Sequence, residues 1–166
     1  MIVKIFDKQI VMEEYMEETL AVINELLVEV FNDILIIEEN ALKSGQFNDV
    51  SVTEVHTIEE IGMYEPKSMS EIAKKLNITV GTLTVAVNNL VKKGYCERYR
   101  SDNDRRVVKV GLTKKGRLLY RVHEKFHADM VKTAIADLSP EEDLALRKSL
   151  SKLSVFLKEK YNLNCK

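Results

Sequence analysis

Between Glu13 and about Asn40, Leu20, Ile23, Leu26, Leu27, Val30, Phe31, Ile34, Leu35 and Ile37 recur mostly at steps of three and four, with no proline or glycine among them. That spacing predicts one long helix. Its apolar arc is wide enough to need two partners, one of which a second copy of the chain can supply. Residues 43–50, with Gly45, Asn48 and Asp49, read as a loop. Ser51 and Glu54 then have the spacing of a capping box, in which hydroxyl and carboxylate satisfy free first-turn amides. They predict a helix from about Val52 to Tyr64, ended by Pro66, which disfavours helical geometry in the residue before it.

Two short helices follow. Ser70 is placed to cap one over residues 71–76, and Asn77 to stop it in the left-handed conformation. Thr79 can cap the next, which runs to about Lys93 and stops at Gly94. Val80, Leu83, Val87 and Leu90 give this second helix an apolar face and leave Gly81, Thr82, Thr84, Asn88 and Asn89 on the other. Residues 95–100 and 107–112 are β-prone runs bracketing the polar stretch 101–106, the pattern of a hairpin with a charged tip. Thr113 caps a long helix to about Asp137. Ser139-Pro140-Glu141-Glu142 opens a last one, carrying Leu144, Leu150, Leu153 and Leu157 and ending near Tyr161. The fold class that results is mainly α with a small β-hairpin.

Charge changes this picture more than bulk composition does. The chain of 166 residues has a net charge of −1, unpromising for a nucleic-acid binder until it is divided along the sequence. Residues 1–65 hold three Lys and fifteen Asp or Glu, whereas residues 91–125 hold twelve Lys or Arg against four acids. A basic segment of that density can neutralise phosphates and release their counterions. The alternative is a merely solvated face.

Other function classes find little support. There is no glycine-rich phosphate loop, nucleophile elbow or extended Cys/His cluster, so an enzyme is not expected. Cys96 and Cys165 are too few for a disulfide framework and read as structural or inert thiols. Lys4, Asp7, Lys8 and Glu13 interrupt the first fourteen residues, and no stretch of about 18 apolar residues follows. A cytoplasmic protein with no membrane partner is expected.

Ala73, Asn77 and Leu83 have the spacing of a helix-turn-helix: a small residue where two helices cross, a left-handed turn residue, then a core residue. Thr79, Thr82, Thr84, Asn88 and Asn89 suit the base edges of a major groove, and Lys92 and Lys93 suit phosphates at the helix end. Arg105 and Arg106 at the hairpin tip suit a narrow minor groove. Lys109, Lys114, Lys115 and Arg117 would add backbone contacts.

The run from Met69 to Gly116, which includes Met-Ser-Glu-Ile-Ala-Lys-Lys-Leu and Asp-Asn-Asp-Arg-Arg-Val-Val-Lys-Val-Gly-Leu-Thr-Lys-Lys-Gly, closely resembles the MarR family of bacterial regulators. The resemblance implies a winged helix-turn-helix over residues 51–113. It also implies a homodimer formed through the helices of residues 1–50 and 114–166, all in one compact chain that reads a pseudo-palindromic operator. His56-Thr57-Ile58, Thr79-Val80-Gly81-Thr82, Val87-Asn88-Asn89-Leu90 and Phe126-His127 are most similar to a branch that represses fatty-acid synthesis genes. That branch takes long-chain acyl groups on acyl carrier protein as corepressor. Residues 1 to about 12 extend beyond the resemblance and have no assigned role.

Two alternatives stay open. His123 and His127, four apart on one helical face, suit two imidazoles on one zinc ion, which Glu38 or His56 could complete. These positions resemble the zinc ligands of another branch of the family. The other alternative is a helical interaction protein that does not bind DNA.

Overall fold

The structure is a computed structural model that describes the backbone of residues 2–100 and 107–161 and the side chains from residue 15 onward within that range. The elements in order are α1 (Ile2–Ser44), α2 (Val52–Ile61), β1 (Lys67–Ser68), α3 (Met69–Lys75), α4 (Val80–Lys92), β2 (Cys96–Arg100), β3 (Val108–Leu112), α5 (Lys114–Ala134) and α6 (Pro140–Lys160). The chain divides into two compact units, Met1–Val52 and Thr53–Lys166.

The first unit is essentially α1. It begins about a dozen residues before the expected start at Glu13, so the extension of unassigned role continues the same helix. It also runs to Ser44, taking in Lys43 and Ser44 of the expected loop. There the Ser44 hydroxyl donates to the Asn40 carbonyl at 2.8 Å, satisfying an acceptor that the helix end leaves free. Leu20, Ile23, Leu26, Val30, Phe31 and Leu35 are all exposed in the single chain.

In the second unit the core gathers Val55, Ile58 and Ile61 of α2, Ile72 and Ala73 of α3, and Leu83, Val87 and Leu90 of α4. Tyr95, Cys96, Val110, Leu112 and Leu119 complete it. Burial in this apolar setting pushes the Cys96 thiol up to about 12, so it stays a neutral packing group. The sheet has the order β1-β3-β2, antiparallel throughout, with Cys96 opposite Leu112, Arg100 opposite Val108 and Lys67 opposite Val110. β1 has only two residues, too short for any alternation to announce it. In α6 no residue is buried, and Leu144, Leu150, Val155 and Phe156 are exposed.

Several helix ends depart from the sequence pattern. α2 stops at Ile61, short of Tyr64, because Gly62 turns left-handed at φ +80° and its amide bonds back to Ile58. Lys67 then covers the freed carbonyl of Glu60 with a 2.7 Å hydrogen bond. The cap of α3 is Ser68, not Ser70. Ser68 accepts from the Glu71 amide while the Glu71 carboxylate accepts from the Ser68 amide. Hydrogen bonding of the Glu71 carboxylate with the Ser68 side chain, and with the Ser68 backbone amide, holds the Glu71 carboxyl below its ordinary value.

α5 ends at Ala134, short of Asp137, while other local signals hold. Asn77 has φ 53° and Gly94 φ 77°. At both, paired hydrogen bonds close the helix: Ile78 to Ala73 with Asn77 to Lys74, and Tyr95 to Leu90 with Gly94 to Val91. Thr79, Thr113 and Ser139 cap α4, α5 and α6, the last with a full capping box and Pro140 in the first turn. α3, its turn and α4 with the β2–β3 hairpin make a winged helix-turn-helix.

Candidate nucleic-acid interface

Leu83, Val87 and Leu90 anchor α4 in the core and thereby fix which residues face outward. Thr79, Gly81, Thr82, Asn88, Asn89 and Lys92 are exposed, and Thr84 is half-buried. The apolar face is narrower than the sequence pattern implies: Val80, assigned there to the core, is exposed at the first turn. Val85, which that pattern passes over, is 62% exposed, three residues from both Thr82 and Asn88 on the outer stripe.

Hydrogen bonds within the unit engage much of this polar face. The Thr79 and Thr82 hydroxyls lie 2.9 Å apart, and Thr79 Oγ1 also accepts the Thr82 amide at 3.1 Å. The Thr84 hydroxyl donates to the Val80 carbonyl at 2.7 Å. Asn88 Oδ1 accepts from Arg98 Nη2 on β2 at 2.6 Å, a link between helix and hairpin that spacing alone does not reveal.

The basic residues divide into two sets. Lys92 is exposed at the end of α4 and can meet a phosphate. Lys93 is held elsewhere: its ammonium lies 2.7 and 2.8 Å from the two oxygens of the nearly buried Glu54. Lys93 thus braces α4 against α2 through an ion pair that is partly open to solvent. Lys115 is similarly engaged, donating to the Lys93 carbonyl at 3.0 Å with its ammonium 3.9 Å from the centre of the Tyr95 ring. Lys114 is exposed, and Lys109 and Arg117 are half-buried. Arg105 and Arg106 lie outside the described residues, although the strands leading to them are described.

A second cluster joins α2 to α5. His123, which is buried, has its Nδ1 2.8 Å from Glu59 Oε1. Its ring centre is 4.5 Å from that of His127 and 5.9 Å from that of His56. Glu59, His123 and His127 bring ligand atoms within 4.8 Å of one another. A carboxylate and two imidazoles are suitable donors for zinc. Glu38 belongs to α1 in the other unit. Glu59 is absent from the sequence-derived set, although its three-residue spacing from His56 on one helix face is a usable signal. Partial burial pushes its carboxyl up, but the His123 hydrogen bond and the nearby His123, His56 and His127 outweigh this and hold it below its ordinary value.

Among the described residues no helix is long and apolar enough to cross a membrane.

Comparison with known proteins bears on this geometry. Residues 50–108, the helix-turn-helix and the hairpin's first strand, match the model of the MarR family. The fold is similar to the crystal structure of Streptococcus pneumoniae FabT in complex with DNA, with a TM-score of 0.80 and 47% identity over 82% of this chain and 96% of that one. The Staphylococcus aureus MepR–DNA complex shares the fold at a TM-score of 0.65 and 23% identity, over 80% of this chain and 94% of that one. The HTH-type transcriptional regulator PchR of Bacillus subtilis is 31% identical over 107 residues, covering 63% of each chain, so this chain spans less than two thirds of that relative's length. With the motif matched where the helix-turn-helix and hairpin stand, and nearly half the residues identical across almost all of a solved relative, the chain belongs to the MarR family.

Proposed function

We propose that the protein is a sequence-specific DNA-binding transcriptional regulator that works as a homodimer, and within that class a repressor of fatty-acid synthesis genes with long-chain acyl-(acyl carrier protein) as corepressor. The observation that carries this reading is the 47% identity to FabT across 96% of a chain solved on DNA. α4 is then the recognition helix, with Thr79, Thr82, Thr84, Asn88, Asn89 and Lys92 at the groove, while Arg105 and Arg106 serve the wing tip. Half-sites about one helical turn apart follow from two such helices in a dimer.

The dimer reading assigns residues 1–50 and 114–166 to the subunit contact. The exposed apolar stripe of α1 and the absence of buried residues in α6 support it, since contiguous apolar surface of this kind marks an interaction site. A corepressor alters DNA affinity only through its differential affinity for the two dimer geometries. The test is direct: fluorescence anisotropy on a fatty-acid synthesis promoter, with and without long-chain acyl-(acyl carrier protein). Tighter DNA binding in its presence is expected, and unchanged affinity would remove the corepressor assignment while leaving the DNA-binding one.

The Glu59, His123 and His127 cluster favours one second reading, a zinc-responsive regulator in which these residues hold the ion. Zinc titration monitored by calorimetry separates the two: heat of binding lost in His127→Ala supports zinc, and no heat in the wild type rejects it.

A further inference from the structure

The outer stripe of α4 has an apolar centre. Val85 is 62% exposed, flanked one turn away on each side by Thr82 and Asn88. Helix stability does not explain a valine there, because β-branching lowers helix propensity and an exposed position recovers nothing from packing. Around it, hydrogen-bonding capacity is partly spent inside the fold: the Thr79 and Thr82 hydroxyls bond each other, Thr84 bonds its own helix, and Asn88 accepts from Arg98.

Gly81, one turn before Val85, adds a second and independent observation. A Cβ built there would meet only Thr79 Oγ1, at an ordinary 3.6 Å. Packing within the chain therefore does not demand a glycine. Its absent side chain leaves bare backbone on the same stripe, which allows close approach to a surface. A helix that presents bare backbone and a stiff apolar knob fits a groove floor carrying methyl groups. In the major groove only thymine offers one, at C5.

The geometry points to Val85 as a specificity-determining residue that packs against the 5-methyl group of a thymine in the operator. This assignment rests on the DNA-binding reading and adds how one base is chosen: by methyl burial, with no hydrogen bond to the base. β-branching contributes directly, since a helical valine has one strongly preferred rotamer and loses little freedom on contact.

The experiment begins with full-length protein and a random-sequence duplex library. Each thymine of the enriched duplex is then replaced singly by deoxyuridine, which removes the methyl and keeps every hydrogen-bonding group. At one thymine of the half-site the wild type should lose about fourfold in affinity, the worth of one buried methyl-sized group. Val85→Ala should bind thymine and uridine equally at that position, while melting at or above the wild-type temperature because alanine is the better helix former. Wild-type indifference to every replacement overturns the inference alone, as does Val85→Ala that keeps the full uridine penalty. If no sequence is enriched at all, the DNA-binding reading falls, and this inference with it.

Discussion

Arg98 on β2 donates from Nη2 to the side-chain oxygen of Asn88 on α4 across 2.6 Å. The bond couples the direction of the hairpin to the rotation of the helix, which are the two parts that a winged helix-turn-helix applies to adjacent grooves. Both side chains are exposed, so the bond contributes little to stability, about 0–1 kcal/mol. Arg98→Ala should therefore leave the melting curve nearly unchanged and weaken operator binding several-fold. Undiminished affinity in an anisotropy titration would show that the link has no bearing on the interface.

Gly116 has the opposite character. A Cβ at this position would collide with the Tyr95 carbonyl oxygen, which already accepts from the Thr113 amide at 3.0 Å and from the Thr113 hydroxyl at 3.1 Å. The first turn of α5 can pack there only without a side chain. Gly116→Ala should cost about 1–3 kcal/mol, as overpacking does, and lower the melting temperature accordingly. An unchanged thermal denaturation midpoint would contradict the packing described here.

At Gly81 the same substitution should act the other way. An alanine fits without strain and improves helix propensity, so Gly81→Ala should gain about 0.5–1 kcal/mol in stability. On the proposed interface it also adds a methyl group to the outer stripe, and operator affinity should fall. A variant that is both more stable and equally tight on DNA would mean that this turn does not approach the bases.

These contrasts show what the sequence makes legible. Caps and stops are local: Thr79, Asn77, Gly94, Thr113 and Ser139 carry their geometry in their own side chains or lack of one, and all stand where the pattern puts them. Ser68 and Ser70 compete for one helix start, and the glutamate three residues on decides for Ser68. Links between distant positions leave no periodic trace. Lys93 reaches Glu54, 39 residues away, an ion pair that no spacing along the chain announces. The rule of apolar inside and polar outside assigns Val80 to the core and overlooks Val85, both of which are exposed.

The Glu59 carboxylate predicts a pH response. Its folded-state value is depressed, so its contribution is complete above the ordinary value of 4.5 and is lost as pH falls through the lower folded value. The titratable groups facing it are His123, His56 and His127. Glu59→Gln removes the titrating group, so the variant should lose less melting temperature than the wild type on acidification from about pH 5 downward. Parallel acid limbs would contradict the coupling between Glu59 and the histidines.

Binding of the full-length protein to a fatty-acid synthesis promoter, compared with a scrambled duplex of the same composition over a salt series, tests the central reading most directly. The account predicts tighter binding to the promoter and a logarithmic affinity that falls steeply with salt for both, since phosphate contacts supply the common part. Equal affinity for the two duplexes would contradict it, and so would an affinity indifferent to salt.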